Sequence, residues 1–448
     1  MRTMIKKTFH ARRLPNHGAQ SGWTALLPPR TPQPALDANI NSDVVIIGAG
    51  FAGLAAAVRL ADLDPKLSVV VIDADVVGNG ASGRNSGFLI DLPHDIASGN
   101  FGVDAAAKNR SEILVARTAI QHYARMAQEH GWDKDIFDPS GKYSVAMTEA
   151  GTEHLALYSS QLQSMGESHK LLDVAEIEDL TGTRSFRSGL FTPGAVMVQP
   201  AAMVRAIADL FQEPVRLFEQ TPALSIETSS TGCTVKTPKG RVSAAGVVLA
   251  TNGHAESFGF GSGELLHVFT YASLTEPFMP STLGGSRKWG ATPAAPMGTT
   301  IRRINEADGD RLLIRSRYTY NPNIEASPGS MKRAGALHDR KFADRFPDHR
   351  HLKMQYRWAG AMALTRNSVP LFGQLEEGIY AACACNGIGG TKATSAGIAI
   401  AELLVGHRSP LGEIFSAFDK PQTLPPRPLT DVGARLNLAY REWHAGRE

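Results

Sequence analysis

Short, continuous apolar runs alternate along the chain with stretches in which apolar residues recur every three or four positions. The first run, Val44-Val45-Ile46-Ile47, is β-branched throughout with no polar alternation, as a strand buried on both faces of a parallel sheet requires. Residues 51–63 then place Leu54, Ala57, Val58 and Leu63 on a helical period with Arg59 outside it, and a second apolar run follows at 68–72. This order predicts a βαβ unit. Farther along, the spacing predicts helices over 104–130, 201–211, 394–405 and 431–443, the second opened by Gln199-Pro200. Residues 142–147 and 378–385 read as strands, as does a β-rich stretch from 215 to 249 that turns at Lys239-Gly240. Residues 300–304 and 311–319, joined through Asp308-Gly309, predict an antiparallel hairpin. The whole predicts an α/β fold in which a parallel sheet is interrupted by insertions that build an antiparallel one. Residues 1–40, rich in Pro, Arg and small polar residues, predict an extended arm on the surface of a domain.

Composition narrows the classes. With 448 residues, 43 % apolar and 20 % charged, the chain is ordinary for a globular protein and long enough for two or three cores. A net charge of +3 gives no argument for nucleic acid. The longest uncharged apolar run, 44–58, holds three glycines and falls short of a membrane span. Three cysteines, Cys233, Cys383 and Cys385, are too few for a disulfide framework or a zinc site and predict a reducing, cytoplasmic setting. Arg12-Arg13 is followed by no apolar segment, so the basic N-terminus reads as an unexported arm.

Glycine is the one mild excess, at 43 residues. Gly48-Ala49-Gly50-Phe51-Ala52-Gly53 matches G-x-G-x-x-G between a buried strand and a helix, where the glycines allow a tight turn, approach of a pyrophosphate and close helix–strand packing. Asp73, with Ala74 after it, ends the second strand 20 residues beyond Gly53, where an acid would accept the ribose hydroxyls. A second Gly/Ser-rich loop follows at 78–87, containing Gly80, Ala81, Ser82, Arg84, Asn85 and Ser86. It supplies further donors for a phosphate or a flavin ring.

With this loop, G-A-S-G-R-N-S-G, the chain resembles the D-amino-acid oxidase/glycine oxidase/sarcosine oxidase superfamily of FAD enzymes, most closely the branch containing γ-glutamylputrescine oxidase. Three further blocks carry the resemblance: 247–253 with Ala250, Thr251 and Asn252; Arg357-Trp358-Ala359-Gly360 followed by 370–373; and Asn386-Gly387-Ile388-Gly389-Gly390-Thr391 with Gly397. It implies a Rossmann-like FAD-binding domain of the GR2 type with an inserted substrate domain built on an antiparallel sheet and helices. The segments expected are an arm at 1–40, FAD-binding parts at 41–135, 198–258 and 356–410, substrate parts at 136–197 and 259–355, and a Pro-rich linker with a helix at 411–448. The cofactor implied is FAD, held non-covalently, since no cysteine follows Trp358 in its block and no histidine stands at Arg84-Asn85. The implied reaction is oxidation of a small primary or secondary amine, with O2 or another electron acceptor; the rivals are an amine dehydrogenase and a flavin-binding subunit without its own turnover.

Departures from relatives bear on the substrate. Where glycine oxidases carry a carboxylate-gripping arginine, this chain has Cys385 before Asn386-Gly387-Ile388, and where sarcosine oxidases carry a lysine it has Thr391, with Lys392 adjacent. Their oxygen-activating lysine has no counterpart in 311–317. Strict alternation along the hairpin puts Arg311, Arg315 and Arg317 on one face and Leu312, Ile314, Ser316, Tyr318 and Tyr320 on the other. An arginine face is either solvated surface or, with Arg302, a grip for an anionic tail remote from the amine. His94, Tyr271, Tyr318 and Trp358 are the remaining pocket candidates, with surface or core packing as the alternative.

Overall fold

The computed structural model describes residues 6–93 and 103–448, side chains at 103–108 excepted. The βαβ unit is present: the strand Asn39–Ile47 leads into the helix Phe51–Leu63 and the strand Val69–Ile72, and the two strands pair in parallel. The apolar runs are buried on both faces because parallel neighbours flank them and helices cover the layer. Arg241–Leu249 lies on one side of Asn39–Ile47 and Val215–Phe218 on the far side of Val69–Ile72, while Ile379–Cys383 adds a further parallel strand. The helices Phe51–Leu63 and Thr394–Leu404 pack on one face of this nine-stranded sheet. The other face carries a separate apolar core including Val45, Val70, Val247 and Ile379.

A second, eight-stranded sheet runs in the order Met354–Thr365, Leu265–Thr275, Gly309–Tyr320, Thr300–Glu306, Trp289–Pro293, Lys142–Ala146, Ser188–Thr192, Lys170–Leu172. It is antiparallel except where Trp289–Pro293 meets Lys142–Ala146. The helix Pro328–Arg345 packs on one of its faces, with Phe342 and Phe346 among Ile301, Leu312 and Ile314. The opposite face meets the nucleotide-type layer through a three-stranded patch made of Phe88–Leu89, Val196–Val198 and Phe137–Asp138.

The expected helices and strands stand within a few residues of their predicted places. The arm differs. Thr8–His10 joins the large sheet as an edge strand against Ser225–Ser229, and a short helix, Gly22–Ala25, capped by Ser21, buries Trp23 completely. Arg30 and the N–H groups of Gln33 and Val77 converge on the buried Glu219 carboxylate. The arm therefore runs largely over the surface, as expected, but is anchored in the core at residues 21–24 and at Leu36.

Candidate active site

The first glycine loop is shaped by contact between backbones. Gly48 has φ +108°, and a Cβ on Gly53 would stand 1.8 Å from the Gly48 carbonyl oxygen, so helix and strand touch here as only glycine permits. Ala49 N–H donates to the Asp73 carboxylate at 2.7 Å and Asp75 N–H donates at 2.9 Å. Burial pushes the Asp73 carboxyl up to about 6 against these two donors. At the helix N-terminus, Phe51 N–H donates to Ser82 Oγ at 2.9 Å, and a Cβ on Gly50 would meet the same oxygen at 2.8 Å. The donors of this helix end thus face the second glycine loop, an arrangement suited to an anion.

In that second loop most side chains hold the loop itself. The Asn85 amide donates to the Ser82 carbonyl and its Oδ1 accepts from Gly87 N–H. Arg84 donates to the carbonyls of Asn79, Ala359 and Ala19, so its guanidinium staples the loop to the arm and to the Met354–Thr365 strand instead of offering charge to a phosphate. Gly80 stands beside the arm, with His17 Nε2 3.7 Å from where a Gly80 Cβ would stand. A cavity of about 370 Å³ opens here between the arm and the segment after Asp73, walled by Pro15, His17, Asp75, Asn79 and Arg84.

The third segment closes the site. Asn386, at φ +55°, accepts the Thr365 N–H and donates to the carbonyls of Val369 and Ala384, which fixes the turn. The chain then winds through a π-helical turn, Gly389–Ala393, into Thr394–Leu404, a form concentrated at functional sites. A Cβ on Gly389 would have nothing within 4 Å, so this helix start faces open space. Gly390 abuts Leu89, Thr391 Oγ1 donates to the Ile90 carbonyl at 3.4 Å, and Gly387 faces Met362. Ile388 precedes the turn, while Ala250 crosses over Gly48 and Thr251 and Asn252 lead away from it. Three loops far apart in sequence thus border one space, and their open helix ends and small residues fit a dinucleotide carrying a flat ring.

The substrate candidates fare differently. His94 lies outside the described residues. Tyr271 points away from this space: it packs with Ala334 of the Pro328–Arg345 helix and its hydroxyl pairs with Thr319. Trp358 is on the cofactor side but fully buried against Trp23, with Nε1 donating to the Arg84 carbonyl. Arg302 is buried with Nη1 on the carbonyls of Ser86, Gly87 and Val198, and its guanidinium stacks over Trp23 and Phe88. It anchors the second glycine loop to the sheet. Lys392 turns away to the Ser368 carbonyl and the Phe418 ring.

Strict alternation fails in the hairpin at Arg317, which has φ +63°. Tyr271 pairs with Ser316 and Thr270 with Tyr318, so Arg317 is a bulge without a partner residue. Beyond it the faces exchange. Tyr318 and Tyr320 share with Arg315 the face opposite the Pro328–Arg345 helix, and Arg315 Nη1 donates to the Tyr318 hydroxyl with its guanidinium 4.7 Å from that ring's centre. Arg317 is instead paired with Glu442 of the C-terminal helix Leu429–Ala445, and Arg311 with Asp308. Among the described residues, Arg315 alone of these three arginines makes no ion pair. Met362, Asp91 and Lys142 are not among the candidates read from the sequence, although a lysine opening a strand followed by Val145, Ala146 and Met147 is a signal it contained. Among the described residues no cluster of His, Cys, Asp or Glu stands ready for a metal ion.

Residues 43–403 match the family described as DAO, FAD dependent oxidoreductase. The chain is 28 % identical over 426 residues to a probable oxidoreductase OrdL of Haemophilus influenzae, covering 89 % of this chain and 91 % of that one. It is 27 % identical over 403 residues to γ-glutamylputrescine oxidoreductase of Escherichia coli, covering 86 % and 88 %. Among solved structures, glycine oxidase from Geobacillus kaustophilus superposes with a TM-score of 0.67 at 20 % identity, over 86 % of this chain and all of that one. L-proline dehydrogenase from P. horikoshii gives 0.65 at 19 %, over 85 % and 96 %. The chain therefore belongs to the FAD-dependent oxidoreductase family.

Proposed function

We propose that this enzyme oxidises a small primary or secondary amine that bears an anionic group away from the reacting nitrogen. The observation that carries the reading is the glycine turn at 386–391, which opens a helix toward the meeting point of the other two glycine loops inside a family match spanning 43–403. Bound FAD supplies the acceptor for a hydride equivalent. The substrate carbon next to nitrogen gives up that hydride, its amine loses a proton, and the imine takes up water to release an aldehyde or oxo acid and the free amine or ammonia. The open helix end at Gly389 favours the negative charge that accumulates on the acceptor side.

A γ-glutamylated amine, the compound class in the name of the E. coli relative, combines a reacting amine with a distant carboxylate and is a natural first candidate. Arg315 on the cofactor-side face supports the remote-anion part of the reading, and Arg302, occupied by three carbonyls, does not. Non-covalent attachment is supported by the placement of Cys383, which donates to the Leu249 carbonyl within the strand layer. Free, buried cysteines suit a reducing compartment such as the cytoplasm, and no described helix is long and apolar enough to cross a membrane.

A second reading, an amine dehydrogenase with another acceptor, is favoured by one observation: the strand Gly309–Tyr320 contains no lysine. An anaerobic panel of primary and secondary amines, D-amino acids, polyamines and γ-glutamyl amines, followed by admission of air, decides between them. Bleaching of the flavin by an amine, then reoxidation with peroxide release, is the expected outcome; bleaching without reoxidation selects the dehydrogenase. If no amine bleaches the flavin, the chain is a cofactor-binding subunit and the proposal falls.

A further inference from the structure

The inner face of the eight-stranded sheet holds a charged cluster that neither the fold nor the cofactor site requires. Register places it. Gly290 pairs with Arg302, so Thr292, two residues on, shares the face that meets the second glycine loop. Thr292 lies beside Ser144, and Lys142, two residues earlier on the same strand, is on that face and opposite Thr192. Phe88 covers Gly290, and three residues after Phe88 comes Asp91.

The side chains are deeply buried: Lys142 is 3 % exposed, Asp91 1 % and Thr192 0 %. Lys142 Nζ donates to Ser144 Oγ at 3.1 Å and Thr292 Oγ1 at 3.3 Å, and no carboxylate among the described residues is in ion-pair contact with it. Burial pushes its ammonium down to about 8, with Asp91 pulling the other way, so it is charged at neutral pH. Asp91 Oδ2 takes Arg117 at 3.1 Å, whereas among the described residues Oδ1 has no partner, and neither has Thr192 Oγ1. A buried ammonium held only by hydroxyls and a buried carboxylate with an idle oxygen are both costly. Asp91 Oδ2 lies against Gly194, two residues beyond the Thr192 that pairs with Lys142, so the two opposite charges stand close together on the buried side of the sheet with no ion pair between them.

We propose that Lys142 and Asp91 form a second recognition site, for the α-amino-acid head of the substrate. The head's carboxylate is held by Lys142 with Thr192, Ser144 and Thr292, and its ammonium by Asp91 Oδ1. The inference rests on the amine-oxidation reading above and refines its remote anion into a remote zwitterion. The link to the cofactor is short along the chain: Leu89 touches Gly390 and the Ile90 carbonyl takes Thr391, two residues and one residue before Asp91 respectively. A substrate could therefore set its head on this cluster and extend its other end toward the glycine turn.

Calorimetry on the FAD-loaded protein tests this without turnover. The probes are γ-glutamyl-n-butylamide, which has the head and no distal amine, and two trimmed forms, one N-acetylated and one lacking the α-carboxylate. The expectation is binding of the intact probe, at least tenfold weaker binding of each trimmed form, and at least tenfold weakening by Lys142→Met with partial recovery in Lys142→Arg. Turnover of 1,4-diaminobutane, which has no such head, should change less than twofold in Lys142→Met. Failure of the intact probe to bind, or equal binding of all three probes to the unmodified protein, overturns the proposal even if Lys142→Met does not fold. If amines bleach the flavin but Lys142→Met treats headed and headless amines alike, the second site is wrong and amine oxidation stands. If the probe binds as expected and no amine bleaches the flavin, the recognition site stands and the reaction assignment fails.

Discussion

Arg302 shows how a residue's chemistry and its task can part. A buried guanidinium ordinarily answers a carboxylate, yet Nη1 here donates to the Gly87 and Val198 carbonyls at 2.7 Å each, with the side chain between the Trp23 and Phe88 rings. Nothing in the residue's neighbourhood along the chain points to this, because the carbonyls lie 215 and 104 positions away. Burial costs the charge part of its stability and moves the guanidinium down to about 10, still protonated at any working pH. Replacing it by Met strands these carbonyls in an apolar setting, a loss of about 3 kcal/mol or more. Arg302→Met should therefore lower the melting temperature and flavin content, while KM for the preferred amine in the protein that still folds stays within about twofold. A large KM rise with unchanged stability would instead return Arg302 to the substrate pocket. Asp73, by contrast, was legible because the physics that places it is local: a strand, a turn and an acid at fixed spacing.

At the scale of elements, what the sequence hid was parity. Periodicity located the hairpin, and Glu306 pairs with Gly309 at its turn as expected. It assigned Tyr318 and Tyr320 to the wrong face because one bulged residue reverses every side chain after it. The edge strand Met354–Thr365 and its neighbour Leu265–Thr275 carried no clear alternation either, since Leu265–Thr275 is buried along nearly its whole length. The bulge makes an unusual prediction. Deleting Arg317 heals the ladder and leaves Tyr318 and Tyr320 on their present face, at the loss of the half-exposed Arg317–Glu442 pair. Deleting Thr319 instead turns Tyr320 over and breaks its hydrogen bond to Asp431 of the C-terminal helix. Thermal melts with flavin absorbance should show the first deletion within a few degrees of the parent and the second clearly destabilised. Equal losses in both would mean that the register argument is mistaken.

For the whole molecule, the decisive feature is that segments near 50, 80, 250 and 390 border one glycine-lined space, the one proposed for the cofactor, with an arm from before residue 40 pinned beside it as its proposed seal. Glycine motifs made the loops legible one at a time, whereas the seal was not, because its parts are ordinary residues: Trp23 Nε1 on the Asn85 carbonyl, Arg84 on the Ala19 carbonyl, and Arg30 on Glu219. Glu219 is the keystone, since its fully buried carboxylate joins the arm, the segment after Asp73 and the end of the Val215–Phe218 strand. Loops of this kind have little reason to stay together without the ligand that they enclose, so FAD should act as part of the fold. A ligand that binds only the folded state adds about 2.7 kcal/mol at a hundredfold excess over its dissociation constant. Stripping FAD should accordingly lower the melting temperature, and restoring it should raise the value in proportion to the logarithm of its concentration. Glu219→Gln keeps the side chain's volume and removes the charge that Arg30 and two backbone donors share. In that variant the arm loosens, FAD leaves at least tenfold faster as followed by the recovery of flavin fluorescence, and the gap between loaded and stripped melting temperatures narrows. An unchanged release rate would show that the arm packs beside the cofactor site without closing it.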